Sequence, residues 1–135
     1  MKKFILACLF LTALISSSFA QSYKYYSTEF AYKVKNDYGT WSEWSNWVSS
    51  HCLITINLDR NVINIYSDEP QEYDIYDYDD SFIDDRDGGQ SLTLKCVDRD
   101  ALRCQIRLRV QTNSQLQLYV DYNDVMFVYN IILKE

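Results

Sequence analysis

The feature that most constrains this chain is two-residue alternation, clearest in Cys52–Ser67, CLITINLDRNVINIYS. Cys52, Ile54, Ile56 and Leu58 alternate with Leu53, Thr55 and Asn57. After Asp59-Arg60-Asn61, Ile63 and Ile65 alternate with Val62, Asn64 and Tyr66. Successive side chains of a strand point to opposite faces, so each run is a ribbon with one buried face. Asp, Arg and Asn between two β-branched runs predict a hairpin loop, with Asn able to take positive φ.

The same pattern recurs along the chain. Phe30, Tyr32 and Val34 alternate with Ala31, Lys33 and Lys35, and Asn36–Gly39 supplies turn residues. Ser22–Ser27 reads as a loose polar and aromatic leader. Tyr73 and Ile75 alternate with Asp74 and Tyr76. Leu92–Val97 and Cys104–Val110 fold about Asp100, which sets Cys96 opposite Cys104. Leu116–Tyr122 and Val125–Leu133 flank an Asn123-Asp124 turn, with Val120 facing Phe127, Leu118 facing Tyr129, and Gln117 near Asn130 on the outer side. About eight strands with short links and no long helix predict one all-β domain. The expected form is a single antiparallel up-and-down barrel, which leaves no open edges; a two-sheet β-sandwich is the alternative.

Residues 1–20 carry the marks of a secretory signal: Lys2 and Lys3, an apolar run from Phe4 to Ile15, and Ser18-Phe19-Ala20 before Gln21. The apolar run is too short to span a bilayer. Cleavage after Ala20 leaves a secreted or periplasmic domain over residues 21–135. Removing Lys2 and Lys3 from the 13 basic residues leaves 11 against 19 acidic ones, a net charge of −8. That balance opposes nucleic acid and anionic membrane surfaces, and favours cationic partners. Export also allows a disulfide, and the register assigns it to Cys96 and Cys104, with Cys52 left over.

Trp41–Trp47, WSEWSNW, resembles in its letters the WSxWS box of cytokine receptors, and in its spacing the tryptophan ladder of thrombospondin type 1 repeats. Both resemblances imply indoles stacked with cationic groups, for which Arg103, Arg107 and Arg109 are available. The cytokine box closes its domain, whereas this segment opens the fold, and the thrombospondin cysteine framework is missing. The plainer reading has Trp41, Trp44 and Trp47 plugging one end of the core or lining its mouth, where they could stack on a ligand. Ten acidic residues fall within Asp68–Asp87. An EF-hand placed on Gly88 requires ligands at Ile83 and Leu94, so that template fails. A solvated loop or a docking surface for a basic partner is the expected role.

Catalytic signals are weak. His51 is the single histidine and, as a strand neighbour of Cys52, faces the opposite side. There is no nucleophile elbow, phosphate loop or metal-ligand spacing, so no enzyme, metal or cofactor is expected. The strand pattern, the export signal and the Gly39-Thr40-Trp41 triplet resemble the small exported calycin or lipocalin-like β-barrel proteins of Gram-negative bacteria. That resemblance implies a barrel that binds a small apolar ligand or inhibits a protease. The expected function is an exported binding protein that binds or inhibits another protein through surface loops; a small apolar-ligand carrier with an aromatic mouth is the alternative. The candidate contact residues are Trp41, Trp44, Trp47, Tyr76, Tyr78, Asp79, Asp80, Asp84 and Asp85, with Tyr119 as a further exposed tyrosine.

Overall fold

The computed structural model describes residues 22–79, 83–84 and 88–134 of the 135-residue chain. The expected signal sequence lies outside them. Strands β1 (Ser22–Val34), β2 (Val48–Ser49), β3 (Leu53–Asn57), β4 (Val62–Ile65) and β5 (Gln71–Tyr78) form the first half. The second half holds β6 (Ile83–Asp84), β7 (Gln90–Asp98), β8 (Arg103–Val110), β9 (Leu116–Asp121) and β10 (Val125–Leu133). No helix forms among the described residues.

Chain neighbours β1, β3, β4, β5, β7, β8, β9 and β10 pair antiparallel in sequence order, and β10 returns to pair with β1. The ring is closed, so this is the eight-stranded up-and-down barrel and not the sandwich. Short β2 pairs with β1 and short β6 with β7.

Alternation places Ile54, Ile56, Ile63, Ile65, Leu92, Leu94, Ile106, Leu108, Leu118 and Val120 inside, each with 0–1% exposure. Burial of such side chains contributes roughly 1.5–3 kcal/mol each, before conformational entropy is set against it. The outward positions between them include Thr55, Asn64, Asp74, Lys95, Gln105 and Arg107. An apolar interior and a polar outer wall are the reverse of a lipid-facing barrel.

Two bulges change which face points in. Between Ser27 and Glu29 the β1–β10 register shifts, leaving Thr28 as an extra residue. Tyr25 and Ser27 are buried before it; Phe30 packs against the core after it. The expected loose leader is thus the first half of a thirteen-residue strand, paired to β3 through Ser22–Tyr26. Tyr76 is the corresponding extra residue in β5. It sends Tyr78 inward, where its hydroxyl donates to Asn61 Oδ1 at the β3–β4 turn. Tyr78 is therefore half-buried against the core and not exposed as expected.

The predicted hairpins form, with Cys96 opposite Cys104 and Val120 opposite Phe127 as expected. Asn61 has positive φ in the β3–β4 turn, and Tyr122 N donates to Val125 O across Asn123-Asp124. Cys96 lies opposite Cys104 as expected, but both are free thiols, as is Cys52. The expected disulfide is therefore corrected, and the turn supplies the reason. Asp98 N donates to Leu102 O, making that pair a hydrogen-bonded one. Two residues along, Cys96/Cys104 is again a hydrogen-bonded pair, whose Cα atoms sit about 5.5 Å apart with side chains farther apart than in the alternate pairs. A disulfide needs Cβ atoms at about 3.5–4.5 Å.

Candidate functional site

Two regions stand out: a tryptophan segment on the outer wall, and an open mouth at one end of the barrel. The first begins at the turn after β1. Asn36 Oδ1 accepts the amides of Tyr38 and Thr40, and Gly39 adopts φ 82°, reversing the chain. WSEWSNW then runs back along the second half of β1. Ser42 N donates to Val34 O at 2.7 Å while Ser42 Oγ accepts Val34 N at 3.0 Å. Ser45 repeats the arrangement on Tyr32, at 2.8 and 3.0 Å. Three residues of this strap span two of the strand, so it is not itself a strand and serine hydroxyls replace ladder carbonyls.

The tryptophans therefore lie on the outer wall, neither plugging the core nor lining the mouth. The cations at Trp41 and Trp44 are Lys33 of β1 and Lys35 just past its end, and not the arginines expected. Lys33 Nζ is 5.4 Å from the Trp41 ring and 4.8 Å from Trp44; Lys35 Nζ is 5.1 Å from Trp41. Trp44 meets Tyr119 edge-on at 6.2 Å, and Arg107 lies over Tyr119 at 4.1 Å while pairing with Asp121. Beneath this band Ala31 pairs with Val128, both 2% exposed although they lie outside the barrel core. Tyr119 is thus half-buried, and its hydroxyl donates to Gln117 Oε1 at 3.2 Å. Gln117 Nε2 donates to Asn130 Oδ1 at 2.9 Å, the outer-side contact expected from register.

The remaining candidates scatter. Tyr76 is exposed on the wall beneath Arg103, 5.6 Å from its ring. Asp79 is half-buried and its amide donates to Thr93 O, at the end of β5 away from the mouth. Asp84 belongs to β6, opposite Gln90 of β7. Asp80 and Asp85 lie outside the described residues. No group of three or more His, Cys, Asp or Glu residues able to hold a metal occurs among the described residues, and no helix there is long and apolar enough to cross a membrane.

The mouth was expected from the sequence as an aromatic site lined by the tryptophans, but its lining is a different set of residues. It is framed by the chain around Ser49–Cys52, the Tyr66–Pro70 loop, the β7–β8 turn and Tyr122. Two clefts of about 330 and 500 Å³ open there and share Ser67, Glu69, Gln71 and Phe127. Their floor is lined by hydrogen-bonded side chains. Tyr122 donates its hydroxyl proton to Asp98 Oδ2 at 2.7 Å, beside the Tyr73 hydroxyl. Tyr73 donates to Gln71 Oε1, and Gln71 Nε2 donates to Tyr129 Oη at 3.2 Å and Ser67 Oγ at 3.1 Å. Burial above all pushes the Tyr73, Tyr122 and Tyr129 hydroxyls well up.

Cys52 edges this floor at 8% exposure, its Sγ 3.1 Å from Ser27 Oγ. His51 turns away and stacks on Tyr26 at 4.6 Å, so the two make no nucleophile–base pair. The closed barrel is compatible with the lipocalin-like resemblance but does not identify it. Compared with protein-family models, with curated proteins and with solved structures, the chain matches none.

Proposed function

We propose that this chain is an exported, non-catalytic binding protein that binds or inhibits another protein through its tryptophan strap. One observation carries the reading. Tyr38, Trp44 and Trp47, three of the large apolar side chains most exposed to water, fall in the strap and in the turn that leads into it. Tyr38 is 94% exposed, Trp47 46% and Trp44 39%. Aromatic side chains offer large contact area at low entropic cost and are enriched at interfaces; clustered exposure of this kind marks an interaction surface. Lys33 and Lys35 hold the Trp41 and Trp44 indoles in place before any partner arrives, which lowers the ordering cost of binding. The acidic stretch around Asp79–Asp87 would steer a basic partner, an effect on association rate more than on affinity. The packed barrel interior weighs against carriage of an apolar ligand inside it.

The test is affinity capture from the secretion milieu with the wild type and a Trp44→Ala/Trp47→Ala variant of unchanged melting temperature. A protein retained by the wild type and lost by the variant is the expected result. A partner held equally by both, or no partner at all, overturns the assignment. N-terminal mapping of the exported protein should find Gln21 first.

A further inference from the structure

We infer that the two clefts at the barrel mouth form one site for a small protonated amine carrying an aromatic body. This is independent of the strap. Each cleft, at about 330 and 500 Å³, lies within the usual size range of small-molecule sites, and the shared residues make them adjoining. The body of the ligand is set by Phe30, Tyr66, Phe127 and Tyr129, which give the larger cleft its apolar surface. Phe30 and Tyr129 are already stacked at 5.7 Å, presenting a fixed aromatic wall.

The sign of the charge follows from the rim. Asp68 and Glu69 stand on the loop between the clefts, exposed, and neither carboxylate takes an ion-pair partner among the described residues. Arg99, the guanidinium lining the smaller cleft, faces Glu72 at 3.8 Å, so the rim carries more negative than positive charge. His51 is stacked on Tyr26. The floor side chains are already bonded within the protein, Tyr73 to Gln71, Gln71 to Tyr129 and Tyr122 to Asp98. Selectivity then rests on aromatic faces and negative charge, both of which favour a cation.

The test uses three ligands with one indole body: tryptamine, tryptophol and indole-3-acetate, whose tails are cationic, neutral and anionic. Calorimetric titration should show tryptamine binding roughly fivefold tighter than tryptophol, the range that exposed charge pairs supply, with indole-3-acetate weakest. An Asp68→Asn/Glu69→Gln variant should bring tryptamine down to the tryptophol level and leave tryptophol unchanged. Tyr66→Ala should weaken both; these three residues are exposed, so melting curves should match the wild type. Trp44→Ala/Trp47→Ala should leave tryptamine binding intact. The inference is overturned if tail charge makes no difference, if the double carboxamide variant binds tryptamine as the wild type does, or if none of the three binds at millimolar concentration.

Discussion

Tyr122 donates its hydroxyl to Asp98 Oδ2 at 2.7 Å, while Oδ1 of the same carboxylate accepts the amides of Asp100 and Leu102 at 2.9 Å each. One side chain therefore shapes the β7–β8 turn, in which Ala101 is held at φ 64°, and ties that turn to the floor of the mouth.

Removing it should be felt at both places. Asp98→Ala is expected to cost about 1–2 kcal/mol, from a handful of hydrogen bonds at about 1 kcal/mol net each, partly replaced by water. Urea unfolding measures this; a variant as stable as the wild type would show that the turn needs no carboxylate.

The same group predicts an acid dependence. Partial desolvation works to raise the Asp98 carboxyl, but hydrogen bonds from Tyr122, Leu102 and Asp100 outweigh it and hold it below the usual carboxylate value. A lowered folded value contributes stability above the unfolded value, near about 4, and that contribution is lost as pH falls through the folded value. The stability gap between wild type and Asp98→Asn should be full at neutral pH and narrow below about pH 4. A gap that stays constant into strong acid would contradict the assignment.

At the alkaline end the sign reverses. Burial raises the hydroxyls of Tyr25, Tyr73, Tyr122 and Tyr129. Their contribution is complete below the unfolded value near about 10 and is lost as pH climbs toward the folded values. Tyrosinate absorbance from these four should appear only as the β-sheet circular dichroism disappears. Full ionisation in a protein that still shows native dichroism would count against it.

The cysteines offer a chemical test. Burial lifts the Cys96 thiol strongly and Cys104 to about 11, and thiolate is the reactive form. Iodoacetamide at neutral pH should leave both unlabelled in the native protein and label both after unfolding without reductant. Peptide mapping that recovers a Cys96–Cys104 bridge would overturn the free-thiol assignment.

The strap should come loose without melting the barrel. Ser42→Ala together with Ser45→Ala leaves the amides of Val34 and Tyr32 to water, at a cost of about 1 kcal/mol or less per bond. Tryptophan emission should shift as Trp44 leaves Tyr119, with melting lowered by only a few degrees. Loss of cooperative unfolding would mean that the strap is part of the barrel's own stability.

Where the chain alternates without interruption, its sequence was enough to find the strand and its partner. The registers Cys96↔Cys104 and Val120↔Phe127 followed from apolar rows and turn residues. Failures came where alternation changes phase. Thr28 breaks β1 into two runs of opposite parity, so Ser22–Ser27 read as a leader; Tyr76 does the same to β5 and misdirected Tyr78. Adjacent thiols were legible but not which kind of antiparallel pair they occupy, because Asp98–Leu102 decides that. The strap carried a usable signal in the three-residue spacing of Ser42 and Ser45, matching that of the tryptophans. The lining of the mouth carried none, since Phe30, the Tyr66–Gln71 segment and Phe127 come from three separate parts of the chain.

The pairing of β1 with β10 also sets an order in time. Tyr25 meets Leu133 and Val34 meets Val125, contacts that span most of the chain. Closing so long a loop is entropically slow, and β1 emerges first yet gains this neighbour last. Until β10 arrives, Phe30 and Ala31 have no wall to lean on, and the indoles of the strap lack Tyr119 and Val128 beneath them. The surface that would meet a partner is therefore completed only by the final strand, so a chain cut short before Val125 could not display it.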